Sequence, residues 1–387
     1  MRKRVKKMFI SILIFIASIV VILFILAPHP PRVPKEVADI AELESYLNDL
    51  TESGDPPSLS LAVVKNNQIV YTRAFGMADA VNAVPATPET VYHWWSMTKM
   101  ATATTILQMH EEGLLNIDDP VTDYLSFFEV EYPSADSPEI TIRHLLNHTS
   151  GLPDTVPAMI GWVHYEDENY DQTKLLKEEL PNYNELKFVP GKDSAYSNLG
   201  YMVLGVIIET VTELPYETYI EEQLLKPLGM TQTAFIYSDT MTENEAIGSH
   251  PFVNLYTPML PSLLDMDMLV RERIGTRYWF NRVYIDATPS TGLIGPAEDT
   301  AKLMLVLLES ETLLSSDMLE LMRPNGDKRP LGWAEFGNDW VQHRGGGPGF
   351  ATIMRLYPEK NLGITIVANS TSLKSIDLVE LIAGMDW

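Results

Sequence analysis

Apolar and polar positions follow several different periods along this chain, and each predicts a different kind of element. The first run has no period. Met8–Ala27 is apolar but for two serines, about twenty residues, the length that crosses a bilayer's hydrocarbon core. Five basic residues and no acidic one precede it in MRKRVKK, and Pro28-His29-Pro30-Pro31 ends it. The run is longer than the core of a cleaved signal peptide, and Phe24-Ile25-Leu26-Ala27 offers a poor cleavage site. An uncleaved anchor over residues 1–27 is the expectation, with cleavage and secretion as the alternative. The positive flank would keep the N-terminus in the cytoplasm and the remainder outside it. A proline-rich linker, 28–37, then leads into one domain, 38–387.

In Ala38–Leu50, Ile40, Leu43, Leu47 and Leu50 recur at helical spacing. Ser58–Val64 and Gln68–Phe75 read as strands, and Lys65-Asn66-Asn67 between them reads as a hairpin turn. From Lys99 the pattern is helical again, with Ile106, Leu107 and Met109 among alanines until Gly113 stops it. A second apolar helix is expected over Tyr201–Thr212. Residues 238–290 are the least regular, broken by prolines and carrying Arg271, Arg273 and Arg277. Loops of this length usually form lids or binding walls. Trp333–Val341, Phe350–Tyr357 and Leu362–Asn369 have strand length, and Ser375–Ile382 closes the chain as a helix. The two ends of the domain would therefore build one antiparallel sheet flanked by helices, an α/β (α+β) fold. The mostly helical middle would insert as a second lobe, with a site in the cleft between them.

Composition narrows the chemistry. There is no cysteine, so neither a disulfide framework nor thiol catalysis is available. The formal net charge is −24, and −29 once the five N-terminal basic residues are set aside. Such a domain is a poor partner for nucleic acid. His144 and His148 stand four apart and could share a metal. No third histidine or acidic partner lies at a telling spacing, so they read as a helix end before the Gly151-Leu152-Pro153 turn, with no metal and no cofactor expected.

The candidate chemistry centres on Ser96-Met97-Thr98-Lys99. Three positions along a helix bring the Ser96 hydroxyl and the Lys99 amine to one face. A serine hydroxyl needs a base near pH 7, and a lysine serves as one when burial lowers its pKa. Trp94, Trp95 and Met97 would supply apolar surroundings. Ser96 in the first turn also aims free backbone N–H groups at a developing oxyanion. The tetrad alone is weak, because roughly one or two Ser-x-x-Lys occur by chance in a chain this long. Tyr196 and Asn198, two apart on an expected extended segment, would add a proton carrier and a positioning amide. Tyr46 and Asn48 show the same spacing, but mid-helix, where positions two apart diverge. His343-Arg344-Gly345-Gly346-Gly347 adds a glycine run that marks close approach of a backbone to a ligand or another chain.

Taken in order, Ser96-x-x-Lys99, Tyr196-x-Asn198 and His343-x-Gly345 resemble the motifs of the serine β-lactamase-like superfamily. The likeness is to its class C branch, with low-molecular-mass penicillin-binding proteins, D-aminopeptidases and related esterases. Leu145–Pro153, Ser290-Thr291-Gly292-Leu293 and Gly347-Pro348-Gly349-Phe350 add to it, and it spans about residues 38–384. The resemblance implies a β-lactamase/transpeptidase-like fold and acyl transfer. Ser96 would be the nucleophile, Lys99 and Tyr196 would exchange its proton, and Asn198 would orient lysine and substrate. The backbone N–H groups of Ser96 and Gly346 would hold the oxyanion. His343 departs from the class C β-lactamases, which resemble one another in having lysine there. A histidine is largely neutral near pH 7 and is expected to gain a proton below about pH 6.5, which argues against strong β-lactamase activity.

Two functions follow from the resemblance. In the first, this is a membrane-anchored, extracytoplasmic serine hydrolase for an ester, an amide or a D-amino-acid peptide. In the second, it is a penicillin-binding-type binder or sensor without efficient turnover. Either way the partner is a small molecule or peptide, together with the membrane through the N-terminal segment.

Overall fold

The computed structural model describes residue 18 and residues 30–387, apart from 156–159, 167, 169, 170, 255, 256, 258, 259, 310–312 and 327, and gives only the backbone of 160, 262 and 263. The apolar run expected to be an anchor lies outside the described residues except for Ser18. Among the described residues no helix is long and apolar enough to cross a membrane.

Helix α1 (Ile40–Glu52) starts at Asp39, whose carboxylate accepts the Glu42 backbone N–H at 2.9 Å. It buries Leu43, Leu47 and Leu50, whereas Ile40 stays 42% exposed, so the buried stripe begins one turn later than its spacing predicts. Strands β1 (Ser58–Lys65) and β2 (Gln68–Asp79) form the expected hairpin. Asn66 and Asn67 make its turn possible by taking φ of +49° and +60°, the left-handed pair that a two-residue connection requires.

The C-terminal strands are β3 (Val341–Gly347), β4 (Phe350–Tyr357) and β5 (Leu362–Ala368). β5 pairs with β1, setting Leu59 opposite Ala368 and Leu61 opposite Ile366, so the two ends of the domain share one sheet. The seven strands run Glu335–Phe336, β3, β4, β5, β1, β2, Val84–Pro85, with every pairing antiparallel. The strand expected over Trp333–Val341 is corrected. Only Glu335–Phe336 and the residues from Val341 onward are extended, because a turn closed by Gly337 N–H on Trp340 O (2.8 Å) interrupts it.

Helix α1 and the last helix, α5 (Ser375–Ala383), cover one face of the sheet through Leu43, Leu47, Ile364, Ile366 and Ile382. The other face meets α4 (Ala297–Leu308) and then the helical lobe, which is built on α2 (Thr98–Glu111) and α3 (Asn198–Thr212). Every residue of α2 from Thr98 to Leu107 is buried. A helix enclosed on all sides must satisfy its polar side chains locally. Thr102 Oγ1 donates to Pro289 O (2.7 Å) and Thr104 Oγ1 to Met100 O (2.7 Å), whereas the buried Thr105 hydroxyl has no partner among the described residues. The irregular stretch 238–290 contains a small sheet of Ser249–Pro251, Arg277–Phe280 and Val270–Ile274 in that spatial order. Its arginines do not cluster. Arg277 is buried against Asp55 (2.8 Å), Arg273 lies over the Phe252 ring and Arg271 sits 3.9 Å from Asp79.

Candidate active site

Ser96 lies in a 3₁₀ turn, Trp95–Met97, immediately before α2. The chain is clamped on both sides of it. Trp94 N–H donates to Leu293 O (2.9 Å), Leu293 N–H donates to Thr98 Oγ1 (3.0 Å), and Thr352 Oγ1 donates to Trp94 O (2.9 Å). Trp95 takes φ +49°, a left-handed conformation that costs a bulky residue energy and that the clamp over-determines. Its indole stacks on His93 with centroids 5.2 Å apart. The glycine run of β3 fits against this turn. A Cβ on Gly345 would strike Trp94 O, and one on Gly347 would enter the Trp95 ring. The close approach read from the sequence is therefore to the serine's own turn. Gly346 alone has open space where its Cβ would be, and it lines the cavity with Ser96.

Lys99 is fully buried. Its Nζ donates to Asn198 Oδ1 (2.7 Å) and Ser290 O (2.8 Å), and lies 5.0 Å from the Tyr196 ring centroid and 5.4 Å from that of Tyr201. No hydrogen bond joins it directly to Ser96 among the described residues. Burial holds the amine well below the usual lysine range, and the Asp154 charge pulls the other way. Asp154 reaches it through Asn198, whose Nδ2 donates to Asp154 Oδ1 (2.9 Å).

Tyr196 and Asn198 converge on the site, but not from one strand. Asn198 opens α3, and Tyr196 lies in the loop before it, separated by Ser197 in an extended conformation. Ser197 caps the helix by accepting the Gly200 N–H (3.1 Å), donates its hydroxyl to Pro153 O (3.1 Å) and gives its own N–H to His148 Nδ1 (3.3 Å). The His148 ring supports the Tyr196 ring at 4.6 Å, so the pair His144/His148 contributes packing at His148. Tyr196 Oη is buried and has no partner at hydrogen-bonding geometry. Burial pushes its pKa up, while interaction with the Ser96 side chain draws it down.

His343 sits on β3, 1% exposed, with its ring 5.9 Å from that of Tyr196. Nδ1 donates to Arg344 O (2.9 Å), which leaves Nε2 as a buried acceptor without a partner. Burial, reinforced by Lys99, pushes the imidazole down to about 3. The expected gain of a proton below about pH 6.5 is thus corrected, since the ring stays neutral well into acid.

These groups open onto a cavity of about 770 Å³ lined by Ser96, Tyr196, Asn198, His343 and Gly346. Trp95, Leu264, Phe280, Ile285 and Phe350 make its walls largely apolar. Among the described residues its formal charges are Glu335 and Arg344, which pair with each other at 2.7 Å. His250 also lines it and is pushed down to about 4 by burial. The sequence does not announce two of these contributions. Asp154 stands just after the Gly151-Leu152-Pro153 turn, and that position is its one signal. Ser290 belongs to a stretch that carries the resemblance, but what it offers Lys99 is a backbone carbonyl, which no side-chain pattern announces.

A family model described as Beta-lactamase matches residues 43–381. "Protein flp" of Staphylococcus aureus (strain MRSA252) is 28% identical over 354 residues, covering 88% of this chain and 64% of that protein, so the chain spans just under two thirds of that relative's length. The octameric penicillin-binding protein homologue from Pyrococcus abyssi superposes with a TM-score of 0.67 at 26% identity, over 89% of this chain and 77% of that one. D-amino acid amidase from Ochrobactrum anthropi SV3, at 21% identity and TM-score 0.69 over 87% and 96% of the two chains, shares the fold.

Proposed function

We propose that this chain, which belongs to the beta-lactamase family, is a serine hydrolase that cleaves a neutral, largely apolar ester or amide through an acyl-enzyme on Ser96. The observation that carries this reading is the buried Lys99 amine, held by two neutral oxygens 5.0 Å from the ring of Tyr196, whose buried hydroxyl interacts with the Ser96 side chain. Ser96 Oγ would attack the substrate carbonyl as its proton passes to the Tyr196–Lys99 pair. The oxyanion would form between the Ser96 and Gly346 N–H groups, and the proton would return to the leaving group as the carbonyl–leaving-group bond breaks. Water, giving its proton to the same pair, would then add to the acyl carbon, and the proton would pass to Ser96 Oγ as the acyl–oxygen bond breaks and the acid leaves.

Charge supports the choice of substrate. With His343 neutral and Arg344 occupied by Glu335, the cavity offers a substrate carboxylate no free cation among its described residues. The apolar walls favour an acyl or aryl group instead. The test is fluorophosphonate labelling of Ser96, followed by kcat/KM for a p-nitrophenyl ester and for its succinyl hemiester analogue. Labelling at Ser96 with the neutral ester favoured roughly tenfold or more is expected. An unlabelled Ser96 would refute the mechanism, and labelling without turnover would select the binder or sensor. For location we propose a membrane anchor formed by residues 8–27, a reading supported by the apolar run and its basic flank. Release of the intact chain from membranes by alkaline carbonate would refute it.

A further inference from the structure

A second cavity, of about 580 Å³, is walled by residues from 143–149, 191–194 and 320–331. In a chain with 52 acidic and 28 basic residues its character is inverted. Arg143, Lys192, Arg323, Lys328 and Arg329 line it against Asp193 and Glu320. Arg143 is matched by Asp118 through bonds of 2.6 and 2.8 Å, and Arg323 by Glu320 at 2.9 Å. Lys192, Lys328 and Arg329 form no ion pair among the described residues.

Arg329 is the most telling of the three. It is half-buried, and its Nε and Nη2 donate to Asn147 O (3.1 Å) and Ala334 O (3.3 Å), with no carboxylate in reach. A guanidinium drawn partly out of water, with two carbonyl dipoles and the Phe336 ring at 5.2 Å but no carboxylate partner among the described residues, gains from an anion. Burial correspondingly draws its pKa down. Two further donors face no acceptor. His144 Nδ1 accepts the Thr141 N–H (3.1 Å), so the neutral ring carries its proton on Nε2, beside Gly191 in the cavity wall. Arg323 Nε is buried without a hydrogen-bond partner.

We propose that this groove is a binding site for a compact phosphate-type oxyanion, a phosphate ester or diphosphate group free in solution. Three cations without an ion pair among the described residues, set against the one unpaired carboxylate of Asp193, leave two positive charges, more than the single charge of a carboxylate offsets, and tetrahedral oxygens can serve donors arriving from several sides. The concave shape suits a small group better than a flat membrane. Arg329 also links the groove to the catalytic side, because Ala334 lines the first cavity and Asn147 precedes the His148 that supports Tyr196.

The experiment is calorimetric titration of the full chain, and of its Lys192→Ala/Lys328→Ala and Ser96→Ala variants, with pyrophosphate at low salt. Wild type and Ser96→Ala should bind alike. The double lysine variant should lose roughly tenfold or more in affinity, and Lys192→Arg/Lys328→Arg should retain it, as charge-assisted contacts require. Binding absent up to about 10 mM, unchanged in the double alanine variant, or lost in Ser96→Ala would overturn the site. Equal affinity for citrate would overturn its preference for phosphate.

Discussion

Replacing Asp154 by asparagine preserves an acceptor for Asn198 and removes one charge from the neighbourhood of Lys99. Two hydrogen bonds of 2.7 and 2.9 Å and the amide between them put the carboxylate about 7 Å from Nζ. At an effective dielectric of about 20, unit charges at that distance attract by about 2.4 kcal/mol. Asp154 is partly exposed, so solvent screening leaves about half to all of this, or about 1 to 2 kcal/mol. The sign is fixed by charge. The carboxylate favours the ammonium form and opposes the burial that lowers the pKa. Without it the neutral amine persists to more acid pH, and the acid limb of kcat/KM for a neutral ester should move down by about one to two units. Asp154→Ala should shift the limb likewise but also lower kcat, because the Asn198 amide loses the partner that orients it. The assay is a pH–rate series on the three proteins. An unmoved limb, or one displaced upward in Asp154→Asn, would refute the coupling.

Tyr196→Phe should cost roughly two to four decades in kcat/KM, while Tyr46→Phe, on α1 against the opposite face of the sheet, should change the rate little. Gly345→Ala has no room beside Trp94 O and should lower the melting temperature and the activity together, whereas Gly346→Ala should fold normally, so equal melting losses in the two would count against this geometry. Acid should destabilise the fold before most carboxylates titrate. His93, pushed down to about 4, His343, pushed down to about 3, and His148, also lowered, are all neutral when folded but take up protons near pH 6.5 when unfolded. Their contribution is therefore present above about pH 6.5 and is lost as pH falls toward their folded pKa values, about 1 kcal/mol each between pH 7 and 5.5. Urea unfolding midpoints at those two pH values check this, and equal midpoints would contradict it.

The sheet was legible because both of its halves declare themselves locally. Asn66 and Asn67 mark a turn that only residues tolerant of positive φ can make, and β4 and β5 are strand-length apolar runs on either side of Pro358-Glu359-Lys360-Asn361. That the two ends of the domain share one sheet was an inference from the order of elements, and the pairing of β5 with β1 across some three hundred residues bears it out. Where local signals conflicted, the reading slipped. Trp333–Val341 has strand composition, yet Gly337-Asn338-Asp339 turns the chain inside it.

The site divides along a different line. Side chains of reactive type stand at recognisable spacings, so Ser96, Lys99, Tyr196, Asn198 and His343 could be named in advance as candidates, and the fold brings them together. What sets their protonation could not. Lys99 is tuned by a backbone carbonyl at Ser290 and by a carboxylate 44 positions from the asparagine that relays it. His343 has the pKa of its surroundings and not of its type, because β3 places it 1% exposed beside Lys99. Each buried group there is neutral, or is held by neutral oxygens and rings. The half-exposed Asp154 is therefore the nearest formal charge that the structure links by hydrogen bonds to the lysine, and it is the lever by which the pH range of the site can be moved without disturbing its shape.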